Sequence, residues 1–117
     1  MLIKIHTRGF TLSDSLGEYT EAKIRLALGL YWDRIRRVDV FLADVNGPRG
    51  GEDMQCKIKV KIDEFSPVVV QETADDMYGA INICAQRIKR VCARRFDRLL
   101  RHRKAQHAAF ARFPDMS

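Results

Sequence analysis

"MQCKIKVKID", residues 54–63, alternates apolar and basic side chains without a break. Cys56, Ile58, Val60 and Ile62 fall on one side of an extended chain; Lys57, Lys59 and Lys61 fall on the other. Such a strand belongs to a sheet covered on one face and open to water on the other. The preceding "RRVDVFLADV" (36–45) repeats the pattern, with Val38, Val40 and Leu42 opposite Asp39, Phe41 and Ala43. Between the two, "NGPRGGED" (46–53) is dense in turn formers and predicts a long hairpin loop. Beyond them, "EFSP" turns the chain into a last strand, "VVVQET" (68–73), and "LIKIH" (2–6) reads as a short first strand with Ile3 and Ile5 on one face.

Two helices complete the pattern. Ser13 is a suitable N-cap for "SDSLGEYTEAKIRLALGLYW" (13–32), with Asp14 and Glu18 at the positive end of its dipole. Leu16, Tyr19, Lys23, Ala27 and Leu30 form its expected stripe, flanked by Ile24 and Leu26, and the helix is expected to end near Gly29 to Trp32. "TADDMYGAIN" (73–82) opens the second helix, with Thr73 or Asp75 as its cap. Met77, Ile81, Cys84, Ile88, Val91, Cys92, Phe96 and Leu99 give it a core stripe. After Lys104, "AQHAAFARFPDMS" loses that period, so the expected division is one domain over 1–104 and a loose tail over 105–117. The expected fold is α+β, in the order βαβββα: a four-stranded sheet with two helices packed on one face.

The charge is distributed unevenly. Residues 1–86 carry 11 basic and 13 acidic side chains, and residues 87–117 carry 10 basic and 2 acidic. "RIKRVCARRFDRLLRHRK" (87–104) alone sets nine bases against Asp97. At about 100° per residue, Arg87, Arg94, Arg98 and Arg101 flank the apolar seam, and Arg90 continues round the back. Arg95 lands on the apolar face, where it must snorkel unless the helix outruns the sheet. A merely solvated helix face normally mixes signs so that i, i+4 pairs form. Seven of these nine bases are arginine, whose planar fork binds phosphate in a bidentate manner. Nucleic-acid phosphate is therefore the expected partner. Lys4, Lys57, Lys59 and Lys61, with Phe41 nearby, make a weaker second candidate on the open sheet face, and solvation accounts for them more simply.

Other chemistry finds little support. His6, His102 and His107 lack metal-ligand spacing, so no metal or cofactor is expected. "GPRGG" joins two strands and lacks the G-K-[ST] ending of a phosphate loop. Asp75 and Asp76 serve a helix start better than a metal. Cys56, Cys84 and Cys92 sit at apolar positions, as buried free thiols do. No run approaches the ~18 apolar residues of a membrane span, "MLIKIHTRGF" lacks the long apolar core of a signal peptide, and the expected location is the cytoplasm. An enzyme with a small-molecule substrate is not expected.

Particular residues carry a resemblance. "TADDMYGAINICAQRIKR" (73–90) resembles the "EDMYAAIDALADKLERQ"-like helix of the ribosome hibernation promoting factors, also called ribosome-associated inhibitors and once labelled sigma-54 modulation proteins. "LSDSLGEYTEAKI" (12–24) is similar to that family's "VTEALRDYVEEKL", and "RIRRVDVFL" (34–42) to its "HITSVHVIL". The resemblance, over about residues 1–104, implies a short-form member with a dsRBD-like fold. It also implies binding to small-subunit rRNA in the decoding channel, in the small subunit or the 70S ribosome, which silences idle ribosomes in stress or stationary phase.

The family's basic positions match Arg87, Arg90 and Arg94 on the second helix and Lys23 on the first. Asn82 stands in place of an acid, Gly79 in place of an alanine, and Lys89 where an acid is frequent. The expected RNA-binding set is Lys23, Arg25, Arg87, Lys89, Arg90, Arg94, Arg98 and Arg101. Long family members carry a ribosome-dimerising domain for which this chain has no room, so pairing of ribosomes would need a separate dimerising factor. The alternative is a regulatory protein-binding module acting on an acidic partner of the transcription machinery. A general double-stranded RNA binder ranks third.

Overall fold

The computed structural model describes residues 2–45, 53–63 and 65–112, with residues 100–112 described by backbone alone. Its elements are β1 (Leu2–Arg8), α1 (Asp14–Leu28), a short 3-10 turn (Gly29–Arg34), β2 (Ile35–Asp44), β3 (Met54–Ile62), β4 (Val68–Ala74) and α2 (Met77–Arg112). The order is the expected βαβββα. The strands lie side by side as β1-β2-β3-β4. β1 runs parallel to β2, and β2, β3 and β4 form an antiparallel meander. A parallel pair cannot be joined by a tight turn, so α1 is the crossover between β1 and β2.

Alternation places the core where the sequence indicates. Val38, Val40 and Leu42 from β2, Cys56, Ile58, Val60 and Ile62 from β3, and Val68 and Val70 from β4 are buried on one face. Met77, Ala80, Ile81, Cys84, Ala85, Ile88, Cys92 and Phe96 cover them from α2. Ile35 and Val38 both reach the core although their spacing is odd. A register shift between Ile35 and Arg37 supplies the extra residue that turns the strand over. Gly9 closes β1 at φ +87°, and a Cβ there would come within 2.7 Å of the Asp44 carbonyl oxygen, so the turn into α1 requires glycine.

The helix caps divide between expectation and correction. Ser13 caps α1 as expected, its hydroxyl accepting from the Leu16 N–H at 3.2 Å. For α2 the cap is Asp76, which accepts from the Gly79 N–H at 2.9 Å, rather than Thr73 or Asp75. Helix α2 also continues past Lys104 to Arg112, where a loose tail was expected. Ala105, Ala108, Ala109 and Ala111 are strong helix formers, and Pro114 is the first breaker beyond them. Apolar period measures packing, not helicity. The hairpin loop over 46–52 lies outside the described residues, and the Val45 N–H donating to the Asp53 carbonyl at 2.9 Å closes its base.

The stripe of α1 is rotated from its expected position. Leu16, Thr20, Ile24 and Leu28 are buried, whereas Leu26 is 78% and Leu30 89% exposed. Thr20 is the reason the row is easy to miss: its hydroxyl donates to the Leu16 carbonyl at 2.7 Å, which satisfies the one polar group in an otherwise apolar i, i+4 row. Tyr19 and Ala27 pack at the margin of the core, and Lys23 is half-buried beside them.

This rotation predicts opposite outcomes for two neighbours. Ile24→Ala should lower stability in urea unfolding by about 2–5 kcal/mol. Leu26→Ala should change it by less than about 0.5 kcal/mol.

Candidate nucleic-acid interface

The buried seam of α2 fixes which way its charges point. With Ile81, Ile88 and Cys92 against the sheet, Arg87, Lys89, Arg90, Arg94 and Arg98 are exposed on the flanks and the outer surface. Among the described residues, no ion pair engages Lys89, Arg90, Arg94 or Arg98. Arg101 lies on the same helix, but its side chain is outside the described residues.

Arg87 differs from the rest. Its guanidinium pairs with Glu72 at 2.7 Å and reaches the Gln71 carbonyl at 3.4 Å, both on β4. Half-buried Arg95 snorkels toward the same edge and donates to the Ser66 carbonyl at 3.2 Å. These two arginines occupy backbone acceptors beside an edge strand, a position that otherwise invites another strand to pair. Arg87 therefore has a structural task in addition to any ligand it meets.

The two helices bring Lys23 and Lys89 together. They line a groove of about 150 Å³ with Leu26 and Ala27 from α1 and Asn82, Ala85 and Gln86 from α2. Lys23 Nζ stands 5.5 Å from the Tyr19 ring centroid, and Tyr19 meets Tyr78 edge to face at 4.8 Å. Two ammonium groups thus open on one groove, and Lys23 also borders the Tyr19 ring. Arg25 does not join them: two residues on from Lys23, it points away along α1 and lies over Trp32 at 5.0 Å. Arg94 borders a separate shallow recess with Tyr31, Ala93 and Asp97.

A second cationic surface lies on the open side of the sheet. Cross-strand register places His6, Phe41 and Lys57 in one row, Lys4, Asp39 and Lys59 in the next, and Leu2, Arg37 and Lys61 beyond. His6 and Phe41 stack with centroids 4.6 Å apart at 15°, and Lys57 Nζ lies 5.4 Å from the Phe41 ring centre. Asp39 accepts from Arg37 at 2.9 Å and is 2.9 Å from His6 Nε2. The Arg37 hydrogen bond, assisted by that of His6, holds the Asp39 carboxyl below its ordinary 3.8. Sequence reading passed over His6 as a scattered histidine. Only the parallel register of β1 on β2 brings it to Phe41.

Other chemistry is sparse. Cys56, Cys84 and Cys92 are buried free thiols. Cys84 donates to the Cys56 carbonyl at 3.3 Å, and burial pushes Cys92 up to about 11, far from thiolate reactivity. Among the described residues, no group of histidine, cysteine and carboxylate side chains could hold a metal, and no helix is long and apolar enough to cross a membrane.

With this geometry established, comparison with known proteins gives a family. The family described as "Sigma 54 modulation protein / S30EA ribosomal protein" matches residues 3–103. The chain belongs to that family, whose members are non-enzymatic, ribosome-associated factors. No curated protein matches the sequence. Among solved structures, the fold is similar to a ribosomal subunit interface protein from Coxiella burnetii, with TM-score 0.70 and 20% identity over 83% of this chain and 99% of that one. It is also similar to the Protein Y N-terminal domain of Thermus thermophilus, with TM-score 0.66 and 24% identity over 80% of this chain and 98% of that one.

The split among the arginines is measurable in stability alone. Arg87→Gln should cost up to about 1 kcal/mol in urea unfolding, the range of a partly exposed ion pair. Arg94→Gln and Arg98→Gln should leave stability unchanged within about 0.5 kcal/mol, because no ion pair among the described residues engages either side chain.

Proposed function

We propose that this chain is a translation inhibitor that binds small-subunit rRNA in the decoding channel and silences idle ribosomes during stress or stationary phase. It acts in the cytoplasm on the small subunit and the 70S particle, and it needs no cofactor. The observation that carries the reading is the outer surface of α2. There, Lys89, Arg90, Arg94 and Arg98 are exposed, with no ion pair to them among the described residues, in a chain that belongs to a ribosome-associated family.

The chemistry follows from that surface. A helix buried along one seam is a stiff rod, so its guanidiniums are held at fixed spacing before any ligand arrives. Bidentate contact with phosphate oxygens then needs little further ordering. The groove between α1 and α2 adds Lys23 and Lys89, with Lys23 beside the Tyr19 ring. Phosphate contacts of this kind supply affinity and orientation, and the shape of the RNA channel supplies selectivity. Arg101 belongs to the same proposed set. Arg25, turned away from the groove and over Trp32, contributes a peripheral contact.

Sedimentation of lysate through a sucrose gradient tests the reading. The parent chain should travel with the small subunit or 70S particles, and a folded Arg90→Glu, Arg94→Glu, Arg98→Glu variant should stay at the top. If both remain at the top at low salt, the ribosome reading is wrong, and the basic helix serves another acidic partner, such as a component of the transcription machinery.

A further inference from the structure

We propose that the open face of the sheet is a second nucleic-acid surface, which takes a segment of single-stranded RNA with a base against the His6–Phe41 ring pair and phosphates along the lysines of β3. The inference stands on the sheet alone and does not depend on what α2 binds.

The first ground is charge. Lys4, Arg8, Arg37, Lys57, Lys59 and Lys61 occupy outward positions of β1, β2 and β3. The carboxylate among them in those rows is Asp39, already engaged by Arg37 and His6. No ion pair among the described residues reaches Lys4, Lys57, Lys59 or Lys61. The acids that neutralise residues 1–86 on average lie elsewhere, as with Glu18 and Glu21 on α1 and Asp75 and Asp76 before α2. The lysines of β3 recur at every second residue, about 6.6–6.8 Å apart, which makes a straight cationic track.

Charge alone would leave a solvated face. The second ground is the pair of rings. Phe41 is 36% exposed on the water side of the sheet, where an apolar ring gains little from burial. It is stacked on His6, and a lysine ammonium stands beside it. Aromatic rings set on an open sheet and flanked by cations are what unpaired bases require: the ring takes the π-face of any base, and the cations follow the backbone. A duplex, whose bases are already stacked, has no use for the rings. An acidic peptide would use the lysines but not the ring pair, so the observations favour single-stranded RNA.

The test is fluorescence anisotropy of a labelled twelve-nucleotide oligouridylate with the full chain at low salt. Phe41→Ala should weaken binding at least about fivefold, the lower range for loss of one stacked base, while Phe41→Trp should preserve it. Lys57→Gln, Lys59→Gln, Lys61→Gln should weaken it about tenfold and reduce its salt dependence. Circular dichroism and urea unfolding establish that each variant is folded. With 4-thiouridine in the oligomer, photocrosslinks should fall on peptides containing His6 or Phe41.

Parent-level binding by the folded alanine and triple-glutamine variants would overturn the proposal, as would no binding by the parent. If polyglutamate competes as well as unlabelled RNA and Phe41→Ala is silent, the face is an acidic-protein surface and the proposal is equally overturned. Ribosome sedimentation of the same sheet variants is scored separately, so loss of this surface is distinguishable from loss of the helix site.

Discussion

Packing of the α2 seam onto β3 and β4 is the interaction on which the rest of the structure depends. A helix with nine bases and one acid over 87–104 is a poor helix by itself, because each badly placed like-charge pair costs a few tenths of a kcal/mol. Burial of one Ile side chain returns about 1.5–3 kcal/mol. Ile81, Ile88, Cys84, Cys92 and Phe96 are all buried, so the seam outweighs the repulsion several times over. The sheet therefore does more than complete a fold. It holds the exposed cations of α2 in one rotation, so that the anionic partner proposed above would meet a surface already arranged.

The same seam explains why the basic residues are not equivalent. Residues nearest the sheet, Arg87 and Arg95, are drawn to the β4 edge and spend part of their donor capacity on Glu72 and on backbone carbonyls. Arg90 and Arg94 lie farther round, and Arg98, on the same flank as Arg87, lies farther along the helix; among the described residues no ion pair engages these three. Lys89 lies on the opposite flank and meets Lys23 across the groove. Position on the helix thus separates the arginines that hold protein partners from those that do not more finely than residue type does. An Arg87 variant would confound stability with binding, whereas the outer residues report binding alone.

Most of the fold was legible in the sequence because strand alternation and helical period are local. The β3 lysines, the β2 valines and the α2 stripe each announce a face without knowledge of their neighbours. The rotation of α1 was not legible, since Thr20 reads as polar until its hydroxyl is seen bonded to the Leu16 carbonyl. The end of α2 was missed because apolar period stops where packing stops, while the alanine-rich backbone remains helical. For the candidate site, the basic character of α2 was plain in the sequence. The engagement of Arg87 and the pairing of His6 with Phe41 were not, because each arises from contacts between elements distant in the chain, whereas Arg25 is turned about 200° from Lys23 by the helical period itself. The lysines of the sheet face were legible, but solvation accounted for them more simply, because acids on α1 and before α2 balance their charge along the sequence and the His6–Phe41 pair was not in view.

The central claim is that the exposed cations of α2 find their counter-charge in RNA phosphate, and salt dependence tests it most directly. Binding of the chain to purified small subunits should be measured from about 50 to 200 mM monovalent salt at fixed magnesium, where each neutralised phosphate contributes about −0.7 to the slope of log K against log salt. About five contacts give a slope near −3.5, and Arg90→Gln, Arg94→Gln should make it shallower by about 1.4. A slope near zero, or one that the double variant leaves unchanged, would contradict the account.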